Sequence, residues 1–339
     1  MELTNSRKPI IFGTWLNFSD KTSYQWESFF ESFLGAGITE YFIHGKTDEL
    51  QYLVDLTENM DLNIHGWIWT LNRPGDRHNI KNLNWYSVNK KGQNSYDMRP
   101  YVDYYQWLSP FSNAAVDYVK SNISNLSEIK GLKSVHLDYV RYCDIFLPIT
   151  LQNKYNIDQS NEIPEYDFGY HPNAREGFKN QFGVDPKKLE SGILKKEWNQ
   201  YRCDAITRLV QDLKVIVHRK KMLLSAAVFP YPKMSSKMVR QDWSNWDLDI
   251  ICPMNYHHFY DEGIDWIGKS VSYGIKYVKP ESQYLSGIFI GALNEKDLKS
   301  TITECIENGA SGVSIFSANG ITNSHLEVIK SFQSVKITQ

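Results

Sequence analysis

Eight short apolar runs, most of them followed by a stretch of helical period, recur along this chain and leave few folds open to it. The runs are residues 9–18 (PIIFGTWLNF), 38–45, 62–72, 132–140, 221–231, 248–256, 284–293 and 310–318. Each is nearly continuous in apolar side chains, the pattern of parallel strands covered on both faces. Between them, residues 23–37 space Trp26, Phe29, Phe30 and Phe33 at three and four and close on Gly35 and Gly37. Further helical patterns cover 47–60, with Thr47 or Asp48 as the expected cap, then 113–129, 198–220, 261–274, 295–310 and 324–334. Gly309 reads as a helix C-cap before the last strand. Eight alternating units in 339 residues predict an α/β fold, a (β/α)8 TIM barrel forming a single domain over 1–339. A doubly wound sheet is the second choice. It would be supported by a glycine-rich phosphate turn after the first strand, and FGTWLNFSD offers none.

Two connections are too long for plain loops: 73–110 after the third strand and 143–195, an insertion-like region, after the fourth. Both leave the C-terminal ends of strands. In a barrel that is the face carrying chemistry, so both are expected to wall a cleft there.

Charge and composition exclude several classes of function. The net charge of −2 gives no basic footprint for nucleic acid, and no apolar run approaches the roughly 18 residues of a membrane span. The start, MELTNSRKPIIFGTW, lacks the apolar core of a signal peptide. A cytoplasmic location is therefore expected if Met1 is native, and a secreted, periplasmic or cell-surface one if a signal has been removed. Cys143, Cys203, Cys252 and Cys305 are dispersed with no CxxC or Cys/His cluster, so they read as buried free thiols, and no metal or cofactor is expected. Aromatic residues make up 14% of the chain, with 10 Trp and 21 Tyr. Such an excess serves a core, or lines a groove that stacks on flat apolar faces such as those of sugars.

The stretch GLKSVHLDYVRYC (131–143) places Asp138 and Arg141 at the end of a hydrophobic run. A buried charge costs several kcal/mol unless it is paired or used. Polar residues at the other strand ends can be read in the same way: Trp15 and Asn17, His44, Trp67, Trp69, Asn72, Arg73, His136, Tyr142, Asn255, Tyr256, His257 and His258. This rim is aromatic, amide-rich and histidine-rich, with few carboxylates. Amides and imidazoles bond hydroxyls while Trp and Tyr stack on C–H faces, which suits a carbohydrate. The expected substrate-binding set is Trp15, His44, Trp67, Trp69, Asn72, Arg73, His136, Arg141, Tyr142, Asn255, Tyr256 and His257. Trp67 and Trp69 are expected to split between barrel and exterior. Cleaving a glycoside usually takes two carboxylates, roughly 5–5.5 Å apart for retention and 6.5–9.5 Å for inversion. Asp138 is the first. A loop carboxylate would be the general acid, with Asp242 first choice and Asp261 and Glu262 next. Set against these are a structural Asp138–Arg141 ion pair, a helix N-cap at Asp242, and a metal site of His136, Asp138 and His257.

The segments IHGWIWTLNRP (64–74), WLSPFSNAAVDYV (107–119), GLKSVHLDYVRY (131–142), AREGFKNQFGVDP (174–186), LLSAAVFP (223–230), QDWSNW (241–246) and LDIICPMNY (248–256) occur in that order. Together they resemble the glycosyl-hydrolase-like 10 family of bacterial glycoside hydrolases, from about residue 9 to about 320. The resemblance implies a (β/α)8 barrel, a carbohydrate-active role in polysaccharide degradation, and a pocket containing Asp138, Arg141, Asn72, Arg73, Asn255 and Tyr256. The chitinase-like DxxDxDxE pattern is absent, since no Glu follows Asp138 in SVHLDYVRY, and this disfavours substrate-assisted hydrolysis. The expectation is a glycoside hydrolase acting on a poly- or oligosaccharide. The alternative is a non-catalytic carbohydrate-binding barrel.

Overall fold

In the computed structural model, which describes residues 9–76 and 80–333, the eight apolar runs become eight parallel strands. They are β1 (Ile11–Asn17), β2 (Ile38–His44), β3 (Asn63–Trp69), β4 (Ser134–Asp138), β5 (Leu223–Val228), β6 (Ile250–Pro253), β7 (Gln283–Phe289) and β8 (Gly312–Phe316). They pair in sequence order and close into a barrel, a (β/α)8 TIM barrel as the alternation predicts. Closure depends on Gly312. Opposite Ile11 at the β8–β1 seam, a Cβ on residue 312 would lie 1.9 Å from the Ile11 carbonyl oxygen.

The helices are α1 (Trp26–Gly35), α2 (Thr47–Leu56), α3 (Asn113–Leu126), α4 (Ile149–Tyr155), α5 (Pro172–Phe182), α6 (Gly192–Arg219), α7 (Pro232–Val239), α8 (Asp265–Gly274), α9 (Glu295–Glu307) and α10 (Asn323–Gln333). Three of them, α4, α5 and α7, were not expected from periodicity. Two are too short to show a stripe. The third, α5, carries other signals, with Pro172 at its start and Gly183 closing it at φ 76°. The expected cap of α2 is corrected. Lys46 is the N-cap residue, and Glu49 reaches back to accept its backbone N–H at 2.7 Å. Gly309, at φ 103°, ends α9 as expected. Among the described residues no helix is long and apolar enough to cross a membrane. All four cysteines are buried free thiols.

The barrel lumen is filled from inward-facing positions. Its apolar part is Trp15, Phe42, Trp67, Ala227, Ile250, Cys252 and Leu285. Below these runs a polar chain. Glu40 meets His65 at 2.8 Å, His65 meets Ser134 at 2.7 Å, and Ser225 bridges Ser134 and His136 at 2.8 Å each.

The two long connections form one wall. Val88 O accepts the backbone N–H groups of Gly169 and Tyr170, and Asp167 O accepts that of Lys90. The second connection is anchored on α6, where fully buried Arg202 donates to Asp167 at 2.5 Å and to the Phe168 carbonyl at 2.9 Å. Tyr170 and Lys195 also face Asp167.

Removing one partner of a buried pair strands the other charge. Arg202→Met is therefore expected to destabilise the protein by about 3–5 kcal/mol, seen as a lowered urea midpoint. Lys269→Ala, at an exposed i,i+4 pair on α8, should leave the midpoint almost unchanged. Equal effects from the two would show that the anchor adds nothing.

Candidate active site

Asp138 is the last residue of β4, and its carboxylate is held from two sides. The Trp67 indole N–H donates to one oxygen at 3.1 Å, and the backbone N–H of Tyr139 donates to the other at 2.7 Å. Tyr139 takes left-handed backbone (φ 49°) immediately after the strand. The ladder nevertheless continues past the strand end, with Thr70 N–H donating to Asp138 O at 2.8 Å and Leu71 N–H to Tyr139 O. Burial pushes the Asp138 carboxyl up from its ordinary value. The Tyr139 N–H, the charge of Arg141, the Trp67 N–H and His44 oppose that shift without cancelling it. The result is a carboxyl group that keeps its proton to higher pH than an exposed one.

Rings surround it. Trp67 and Trp69 do not split as expected. Two residues apart, they face the same side of the strand, with Trp67 deeper and Trp69 on the rim. Trp69 lies 4.8 Å from the Tyr139 ring, 6.0 Å from Tyr104, and stacks on His44 at 6.0 Å. The His44 Nδ1 meets the Trp67 carbonyl oxygen at 3.0 Å. That contact needs the hydrogen on Nδ1, which leaves Nε2 as an acceptor in the neutral ring. Across the mouth, Tyr256 packs with Phe289 and Phe316. Its phenol is pushed up by burial and, next, by the charge of Asp138. The exposed Tyr104 was not anticipated, because its connection shows no period that orients side chains.

Several expected site residues stand elsewhere. Arg141 does not pair with Asp138. Its guanidinium donates to Asp144 at 3.2 Å and to the Tyr142 carbonyl at 2.9 Å, among the rings of Trp107, Tyr139 and Phe229. Tyr105 OH donates to the same Asp144 oxygen. Asp144 was missed, although its spacing three residues after Arg141 is a pairing signal. Tyr142 packs against Gly169 of the long connection. Asn72 is buried and accepts the Gln106 backbone N–H, so it holds the loop. Trp15 and His136 lie inside the lumen below Asp138, with His136 on Ser225 and pushed well below the usual imidazole range by burial. Asn255 sits between Ser286 and Ser270 of α8, on the outer side of the barrel. His257 is buried and lowered by that burial. The expected alternative of a His136, Asp138 and His257 metal site is not assembled, and no group of three or more His, Cys, Asp or Glu among the described residues could hold an ion.

The three candidates for a second carboxylate also separate. Asp242 stands at the N-cap position of the turn 243–245 but accepts no backbone N–H there; its oxygens take the Ser244 hydroxyl at 2.5 Å and the Asn245 amide at 2.8 Å, and it faces Gln200 of α6 at 3.5 Å. The expected cap is met in position and not in hydrogen bonding, and both carboxylate oxygens are already occupied. Asp261 and Glu262 are exposed on the turn after β6, with Glu262 beside Tyr231.

A family described as "putative glycosyl hydrolase domain" matches residues 45–286. Among solved structures, the glycoside hydrolase domain of PgaB (BpsB) from Bordetella bronchiseptica superposes with a TM-score of 0.70 at 10% identity, over 97% of this chain and 100% of that one. A β-galactosidase from Bacillus circulans sp. alkalophilus gives 0.67 at 12% identity, over 97% of this chain and 56% of that one. The chitinase RmChi1 from Rhizomucor miehei gives 0.51 at 10% identity, over 95% and 99%. At these identities the likeness is one of fold, and this chain spans little more than half the length of the β-galactosidase. No curated protein matches the chain.

The raised Asp138 pKa fixes the sign of a stability effect. An acid whose folded pKa lies above its unfolded one destabilises the fold as pH rises through the folded value, and has no such effect below the unfolded one. Asp138→Asn removes that penalty, at the cost of setting an amide against the Trp67 N–H. The melting temperature of the variant minus that of the parent should therefore become more positive as pH rises above about 4, the unfolded Asp value. A difference that does not change with pH would show that Asp138 titrates as if exposed.

Proposed function

The chain belongs to the family of the putative glycosyl hydrolase domain, and on that premise we propose that it hydrolyses glycosidic bonds of a poly- or oligosaccharide with Asp138 as a catalytic carboxylate. One observation carries the reading. Of the eight residues that end the strands, Asp138 alone is a carboxylate, and it is half-buried and held by two donors, the Trp67 indole and the Tyr139 backbone. The finer assignment to the glycosyl-hydrolase-like 10 family, and a role in bacterial polysaccharide degradation, belong to the same proposal.

A carboxyl whose proton affinity is raised suits a general acid better than an exposed one does. Asp138 would protonate the glycosidic oxygen as the C–O bond breaks, and the ring carbon would gain oxocarbenium character. The second carboxylate would come from the turn after β6. Asp261 and Glu262 remain there once the Asp242 oxygens are taken by Ser244 and Asn245, and either would activate the water or trap the sugar carbon. Trp69, Tyr104 and Tyr139 offer faces for the sugar rings, and His44 Nε2 offers an acceptor for a hydroxyl. The non-catalytic binding barrel is the second reading. It is favoured by the absence of a second carboxylate among the main charges acting on Asp138.

Incubation with a panel of polysaccharides and assay of new reducing ends separates the two. Hydrolysis by the parent, reduced by roughly 10²–10⁴-fold in Asp138→Asn, supports the catalytic role. Glycan binding without product on any substrate supports the second reading. Trp67→Phe deletes a donor to the carboxylate and should push its pKa further up. If Asp138 must be protonated to act, the alkaline limb of the kcat/KM profile should then move to higher pH. An unmoved limb would assign that limb to another group.

A further inference from the structure

Next to the residues that act on Asp138 lies a cavity of about 550 Å³, between the tops of β1, β2 and β3 and the last turns of α3. Its polar lining is Asn17, Ser19, Lys46, Arg73, Asn122 and Asn125. His44 and Trp67 belong to both spaces: they line this cavity, and both act on Asp138. A chain of sugars bound over Asp138 therefore has room to continue past His44.

The cations in this cavity differ from Arg141 in what they leave open. Arg141 is ion-paired with Asp144 and enclosed by rings. Arg73 is ion-paired too, with Asp76, but it keeps one donor over. Its Nη1 donates to the Trp69 carbonyl at 2.7 Å and its Nε to Asp76 at 2.5 Å, with the Tyr118 ring 5.7 Å from the guanidinium carbon. Among the described residues its Nη2 has no acceptor, so a fixed, partly desolvated donor is left over. Lys46 is exposed and has no acidic partner among the described residues. Glu49, the carboxylate in the same lining, directs an oxygen at the Lys46 backbone N–H. A preset guanidinium, a mobile ammonium and three side-chain amides together match an anion carried on a hydroxyl-rich ring.

We propose that this cavity is a subsite for an acidic sugar, a uronic acid residue, next to the bond over Asp138. Arg73 Nη2 and Lys46 meet the carboxylate, and Asn17, Asn122 and Asn125 meet hydroxyls. The proposal rests on the reading of the Asp138 pocket as a saccharide site, and it does not require that site to be catalytic.

The test uses the full chain carrying Asp138→Asn, so that nothing is consumed. Polygalacturonate, alginate and hyaluronan are each compared with their carboxyl-reduced neutral counterparts by affinity electrophoresis at low and high salt. At least one acidic polymer should be retained roughly tenfold more strongly than its reduced form, the scale of one charged hydrogen bond, and salt should erode the preference. Lys46→Gln, at an exposed position, should cut the preference several-fold. Arg73→Gln should abolish it, and Arg73→Lys should restore part of it. Equal retention of acidic and reduced forms, no retention of any acidic polymer, or a preference that survives both Lys46→Gln and Arg73→Gln overturns the subsite. Should the parent release no product from any polymer while the acid preference holds, the hydrolase reading fails and the subsite stands. Hydrolysis without acid preference removes the subsite alone.

Discussion

A closed sheet of eight parallel strands has a single lumen, and every second side chain of every strand must go into it or above it. Much of the molecule follows from that constraint. Low in the lumen, polar side chains are tolerable mainly when they partner one another, and Glu40, His65, Ser134, Ser225 and the Nδ1 of His136 do so in one connected chain, while His136 Nε2 is left without a partner. Above them Trp15, Phe42 and Trp67 close the space to water. A carboxylate two residues above His136 on the same strand is the first that solvent can reach. Asp138 is thus buried enough for its proton affinity to rise, yet open enough to meet a ligand.

The fold was legible because its signal is repeated. Eight apolar runs that each need cover on both faces point to one architecture, and errors of one or two residues at each end change nothing. The site was legible only in part. Depth in the barrel is invisible to a reading that marks strand ends, so His136 and Trp15 were placed with Asp138 although they lie one layer or more below it. Parity decides others. Ile250 and Cys252 of β6 and Met254 just beyond it alternate inward, so Asn255 faces α8, and a firm strand start would have shown this. In the loops neither depth nor parity helps. Asp242 and Glu262 look alike in sequence, but Ser244 and Asn245 occupy the oxygens of the first while the second stays exposed.

Arg141 shows how a charge can be present and still count for little. A lone guanidinium close to Asp138 would hold the carboxyl ionised, and burial would then have to work against a full unit of charge. Asp144, at 3.2 Å from the guanidinium, makes the pair nearly a dipole, and its field falls off faster than that of either charge. Trp107 and Phe229 keep the guanidinium in place, so it cannot swing toward the mouth. Desolvation is therefore the largest influence on Asp138. The residue that first looked like the natural partner of Asp138 acts by being occupied elsewhere: were Asp144 absent, Arg141 would favour the ionised carboxylate and work against a proton-donating role.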